Sequence, residues 1–151
     1  MSCYAVIDTN VLVSALLSSH NDAATVLVVE KLFSGEVTPL FSDEILKEYN
    51  EVLHRTKFHF SEDAVSILLQ TIKKYGERIV PKPTGEFLSD IKDLPFYEVV
   101  IEKQENNAYL VTGNMKHFPT KPFIVTAKEF LDILNATKSN TPQQADGASN
   151  L

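Results

Sequence analysis

Three short runs, Ala5-Val6-Ile7, Tyr109-Leu110-Val111 and Phe123-Ile124-Val125, are apolar at every position, with no polar residue interleaved. A strand with one face in water alternates apolar and polar side chains; a strand buried on both faces does not. Such strands need helices above and below them. The stretches between the runs supply these helices, with caps at Asp22, Ser42, Ser61 and Thr126 and stops at Gly35 and Gly76. The alternation predicts an α/β fold: a three-layer α/β/α sandwich around a mainly parallel sheet of about five strands. Strands are expected over residues 4–7, 37–41, 78–80, 109–112 and 123–125. Helices are expected over 11–17, 23–33, 43–55, 62–75, 95–104 and 127–134. Pro39 lacks an N–H for a ladder and predicts an edge position for its strand.

The chain has 151 residues, the size of one domain, and 44% of them are hydrophobic. Residues 1–135 are read as that domain. From 136 to 151 the chain is Ser, Asn, Thr, Gln, Ala and Gly with almost nothing to bury, which predicts a disordered tail. The single cysteine, Cys3, excludes an internal disulfide and a Cys-rich zinc site. No membrane-length apolar run and no signal-peptide pattern is present, so a cytoplasmic protein is expected. Fourteen Lys and Arg against twenty Asp and Glu give a net charge of −6. That balance argues against a general nucleic-acid coat protein, whose affinity rests on neutralising phosphates. It leaves open a nucleic-acid enzyme that takes positive charge from a bound metal.

In parallel α/β sheets, ligands bind outside the carboxyl ends of the strands. Here those ends carry Asp8-Thr9-Asn10, the helix opened by Ser42, and Thr112-Gly113-Asn114, with Asp90 and Asp93 just before a further helix. On the acidic helix, a turn of about 100° per residue puts Glu48 only about 60° from Ile45, on the flank of the apolar stripe. Glu44 and Glu51 lie about 100° and 120° away, towards water. Each acid has an ordinary alternative: Asp8 and Asp93 as helix caps, Glu48 as a flank residue paired with lysine, Asp90 as a loop residue. Together they are more informative, because clustered carboxylates repel and protonate unless a cation sits between them. Hard oxygen ligands select Mg²⁺ or Mn²⁺. His54 and His59 are read as surface or helix-end residues. Phe33, Phe58, Phe60, Phe96, Phe118, Phe123 and Phe130 are read mostly as core, with no base-stacking platform among them.

Four stretches in order resemble the PIN-domain family of metal-dependent ribonucleases. They are Val6-Ile-Asp8-Thr-Asn-Val-Leu, Ser42-Asp-Glu-Ile-Leu-Lys-Glu48, Asp90-Ile-Lys-Asp93-Leu-Pro, and Leu110-Val-Thr-Gly-Asn-Met-Lys-His-Phe118, followed by Phe123-Ile-Val-Thr-Ala-Lys-Glu-Phe. Within the family the chain looks like the toxin components of toxin–antitoxin systems, the relatives of the VapC toxins. The resemblance implies Asp8, Glu48 and Asp93 as catalytic acids and, with Asn114, as holders of Mg²⁺ or Mn²⁺. It also implies supporting roles for Thr9, Asn10, Asp90, Glu98 and Thr112. RNA is the implied substrate, with Lys116 and His117 as candidate phosphate contacts, and an antitoxin protein and a second copy of the chain as partners. Many members carry Asp where this chain has Asn114. An amide offers a carbonyl oxygen but neither charge nor base, so Asp90 and Glu98 are considered as compensating acids.

Other readings are separable by residue. A haloacid-dehalogenase phosphatase needs an acid two residues after Asp8, where Asn10 stands, and a response-regulator receiver needs an acidic pair where Cys3-Tyr4 stands. A catalytically inactive PIN-like binding module is the remaining alternative, favoured by Asn114 and opposed by three retained acids.

Overall fold

The computed structural model describes residues 3–139. Five strands, β1 (Cys3–Ile7), β2 (Val37–Phe41), β3 (Glu77–Arg78), β4 (Tyr109–Val111) and β5 (Ile124–Val125), form one sheet in the order β3-β2-β1-β4-β5. Every pairing is parallel, with Ala5 opposite Pro39 on one side of β1 and opposite Tyr109 on the other. Six helices accompany the sheet: α1 (Thr9–Leu17), α2 (Ala24–Ser34), α3 (Asp43–Leu53), α4 (Glu62–Tyr75), α5 (Leu94–Glu102) and α6 (Ala127–Ser139). The α/β sandwich expected from the apolar runs is the observed fold. Ala5, Val6, Ile7 and Leu110 have no exposed surface at all, as strands covered on both faces require.

The strand order fixes where a site can lie. The chain builds outward from β1 through β2 to β3, then returns to the other side of β1 for β4 and β5. The connections therefore diverge between β1 and β4, and the crevice beyond their carboxyl ends is the place an α/β sheet leaves open. Asp8 follows β1 and Thr112 follows β4.

Local chemistry explains most element ends. Ser42 accepts from the Ile45 amide and Ser61 from the Ala64 amide, as predicted for N-caps. Thr126 and Glu129 close a reciprocal capping box: each side chain accepts from the other's backbone amide, at 3.1 and 2.8 Å. Gly35 takes φ +85° at the end of α2, the left-handed stop that glycine adopts without strain.

Four expectations change. Pro39 lies in an interior strand, not an edge one; the β2–β3 ladder begins only at Leu40, so on that side Pro39 is still beyond the last paired residue. Asp22 does not cap α2, whose N-cap is Ala23 with no side-chain bond. The last helix continues past 134 to Ser139, four residues into the expected tail, while residues 140–151 lie outside those described. Phe33 is 48% exposed and is not core.

Candidate active site

Asp8 occupies the N-cap position of α1 but makes no side-chain capping bond. Its Oδ2 instead accepts from the Thr112 hydroxyl at 2.7 Å, across the β1–β4 junction, and from Asn10 Nδ2 at 3.2 Å. Asn10 in turn accepts from the Gly113 amide at 3.0 Å, and the Thr112 hydroxyl accepts from the Asn114 amide at 3.0 Å. The loop after β4 is thereby tied to the first turn of α1, and Asp8 is held by both.

Glu48 reaches the same place from α3. Ile45, Tyr49 and Leu53 are buried on that helix while Glu44 and Glu51 are exposed, so the helical phase read from the sequence is the observed one. The fully buried Tyr49 donates its hydroxyl to the Ile7 carbonyl at the end of β1, which pins α3 there. Burial and the charges of Asp8 and Glu48 push the Tyr49 phenol well above its ordinary range, so it stays a neutral donor. Glu48, half-buried next to it, accepts from the Thr9 hydroxyl.

Asp93 precedes α5 and, like Asp8, caps nothing with its side chain. His117 Nδ1 lies 3.1 Å from Asp93 Oδ2 as an ion-pair contact, and this buried oxygen has no other polar partner. Asp8, Glu48 and Asp93 line one cleft of about 370 Å³, together with Thr9, Asn10, Asp90, Asn114 and His117. The same cleft is lined by Arg55, Lys92, Val13 and Val52, which the sequence did not mark as site residues, and by Phe58, which the sequence placed in the core but which is only half-buried here.

All three acids are raised above their ordinary pKa. For Asp8 the main cause is burial, with the Asp93 charge adding to it; the Thr112 hydroxyl and the nearby amides of Thr9 and Asn10 work against it. Burial again dominates for Glu48, where Asp8 and Glu51 add repulsion and Thr9 and Lys92 relieve it. For Asp93, burial is joined by repulsion from Asp90 and Glu48 and eased by His117. The cluster is an electrostatic cost that ordinary folding has no reason to accumulate.

Replacing Thr112 with valine keeps the shape and removes the donor to Asp8. Loss of that hydrogen bond is expected to raise the Asp8 pKa further. An activity that needs ionised Asp8 should then have its acid limb displaced to higher pH, measured as a pH–rate profile of Thr112→Val beside the parent protein. An unchanged acid limb would mean that the Thr112 bond does not govern Asp8.

Not every expected residue is at the site. Asp90 lines the cleft and also caps a short 3₁₀ turn, accepting from the Lys92 amide at 2.9 Å. Glu98 lines a different cleft with Ser42, Asp43 and Arg78, because five residues along a helix turn it about 140° from Asp93. Lys116 is exposed and does not line the acidic cleft, whereas the adjacent His117 does. In a 3₁₀ turn neighbouring side chains diverge by about 120°.

A family model described as the PIN domain matches residues 4–116. That span covers β1 through β4 and all three acids. The chain belongs to the PIN-domain family. No curated protein matches the chain significantly. PIN domains are in general nucleases that bind nucleic acid and use divalent metals, which gives this chain a nuclease-type function. Among the described residues, no helix is long and apolar enough to cross a membrane.

The residues at hand can be tested against such a metal. Among the described residues, no three His, Cys, Asp or Glu side chains are close enough to enclose an ion by themselves. Mg²⁺ does not require that, since it keeps several waters and is commonly held through one or two carboxylates. The buried Asp93 Oδ2, with no polar neighbour but His117, the raised pKa of the acids around it and the carboxylate oxygens of the cluster fit a hard divalent cation of this kind.

Proposed function

We propose that this protein is a metal-dependent endoribonuclease that hydrolyses RNA phosphodiester bonds in the acidic cleft. The observation that carries the reading is the convergence of Asp8, Glu48 and Asp93 at the β1–β4 switch point, with Asp93 Oδ2 buried and in contact with no polar group but His117. One or two of Asp8, Glu48 and Asp93 would hold Mg²⁺ or Mn²⁺ directly, with the remaining acid and the Asn114 carbonyl reaching it through its waters. When bound, the ion lowers the pKa of water and offsets charge on the phosphoryl oxygens.

The chain's own groups have distinct tasks. Thr112 and Asn10 keep the Asp8 carboxylate fixed, and Thr9 orients Glu48. His117 stands beside Asp93 and eases the negative charge there. Arg55 and Lys92, on the wall of the cleft, supply the positive charge that a phosphodiester needs in order to approach three acids. No Ser, Cys or His nucleophile is required. The four stretches shared with toxin components support the finer assignment: the toxin of a toxin–antitoxin system, cytoplasmic, dimeric and restrained by an antitoxin protein. Asn114, in place of a fourth carboxylate, favours the second reading of an inactive PIN-like binding module.

The test is cleavage of a mixed pool of structured and single-stranded RNA by protein stripped with EDTA, with Mg²⁺ or Mn²⁺ titrated back. Cleavage should be absent in EDTA and return with the ion. The melting temperature should rise with it, by about 2.7 kcal/mol of added stability at a hundredfold excess over Kd. The absence of both cleavage and a metal-dependent rise in melting temperature would overturn the nuclease reading and favour the inactive module.

A further inference from the structure

The acidic cleft does not end at the acids. Glu48, Val52, Arg55 and Lys92 also line a second cleft of about 350 Å³, whose far wall is Lys47, Glu51 and Pro95. The two clefts have these four residues in common, and Phe58 lines the first of them.

The sequence from Arg55 to Phe60 explains how that ring comes to be there. After α3, Thr56–Phe58 form a 3₁₀ turn in which the Phe58 amide donates to the Arg55 carbonyl at 3.1 Å. His59 then takes a left-handed conformation, φ 56°, uncommon for a residue with a Cβ, and reverses the chain. Phe60 is thereby stacked on Phe58, centroids 5.2 Å apart and planes within 10°. The ammonium of exposed Lys57 lies 5.1 Å from the Phe58 centroid. Phe58 is thus only half-buried, backed by a second ring, and attended by a cation on a flexible exposed chain that a flat ligand can displace.

We infer that Phe58 is a base-stacking platform for single-stranded RNA, with Arg55 and Lys92 positioning the phosphates on either side of the stacked nucleotide. An aromatic face serves any base, because every base has a π-face, whereas paired bases in a duplex are unavailable to it. The arrangement therefore selects unpaired RNA and does so with little sequence preference. It also answers the net charge of −6: affinity comes from one stack and two local cations, not from a basic surface. This inference rests on the nuclease reading above and assigns its substrate class.

The experiment uses the full chain carrying Asp93→Asn, to suppress cleavage, in Mg²⁺. The ligand is a single-stranded uridine oligomer with one 2-aminopurine, moved through each position in turn. Binding should quench 2-aminopurine at one position, and a matching duplex should bind more weakly. Phe58→Leu, which keeps apolar volume but has no flat face, should lose the quenching and weaken binding by roughly 5- to 150-fold, the worth of one base–aromatic stack. Phe58→Tyr should retain both. Arg55→Gln and Lys92→Gln should each lower the salt slope of binding by about 1. Tight binding with no quenching at any position, unaffected by Phe58→Leu in a variant that melts normally, would overturn the stacking platform and leave the nuclease reading standing. Failure of the Asp93→Asn protein, with Phe58 intact, to bind RNA at all would remove both.

Discussion

Asp93→Asn is expected to abolish cleavage, by roughly 10²–10⁴-fold, while making the metal-free protein more stable at neutral pH. The two effects have one origin. Asp93 is raised in the folded protein by burial and by its acidic neighbours Asp90 and Glu48. A carboxyl whose folded pKa lies above its unfolded value contributes stability below the unfolded pKa, and this is lost as pH rises through the folded one. Asp8 and Glu48 are raised as well, so the metal-free protein should lose stability as pH climbs from the acid side towards neutrality. An asparagine at 93 removes one of these costs and relieves part of that at Asp8. Its amide can hydrogen-bond to the His117 ring, whose Nδ1 already lies 3.1 Å from Asp93 Oδ2. Melting curves of stripped parent and Asp93→Asn over pH 4 to 8 should therefore diverge with rising pH, with the variant melting higher at pH 7. A variant that is inactive and also less stable across that range would mean Asp93 is structural.

The second large effect concerns the scaffold. Gly76→Ala should destabilise the protein by about 3 kcal/mol or more, at the upper end of what overpacking costs. A Cβ at this position would stand 2.4 Å from the Ile72 carbonyl oxygen and 2.5 Å from that of Pro39. Neither oxygen can move freely: one ends α4, where it accepts from the Gly76 amide at 2.9 Å, and the other belongs to β2. The backbone of Gly76 is otherwise ordinary, φ −88° and ψ 177°, so close approach alone excludes a side chain. For a chain of this size the loss corresponds to a melting temperature lower by roughly 6–12 °C. Denaturant unfolding should show a lower midpoint at unchanged slope, and cleavage per folded molecule should persist because Gly76 does not line the acidic cleft. A change in stability below about 0.5 kcal/mol, the range of ordinary surface substitutions, would contradict the account of this contact.

These two residues illustrate what could be read before the structure. Asp8 and Glu48 were legible because their positions follow from local rules: one ends a strand buried on both faces, the other falls beside an apolar stripe of period 3.6. Gly76 was legible as a helix stop but not as a point of contact with Pro39, since the β2–β3 neighbourhood is a matter of topology. The same topology misled the reading of Pro39, whose strand is interior while its own β3 side remains unpaired. Arg55 stands beyond the His54 C-cap in extended backbone, so the helical phase that placed Glu48 does not reach it. Phe58 had no signal either. Its direction is set by a 3₁₀ turn and a left-handed histidine, neither of which leaves a periodic trace. Glu98 and Lys116 were placed by proximity in sequence to Asp93 and Asn114. A rotation of about 140° on a helix and of about 120° in a 3₁₀ turn carried them away.

The central claim is that Asp8, Glu48 and Asp93 act together on one divalent cation. Calorimetric titration of Mn²⁺ into the stripped full-length protein, with Asp8→Asn and Asp93→Asn titrated in parallel, addresses it without any need for the right RNA. Saturable binding of Mn²⁺ by the parent protein, weakened at least tenfold in both variants, is the predicted result. Binding that is absent from the parent, or equal in all three proteins, would contradict it.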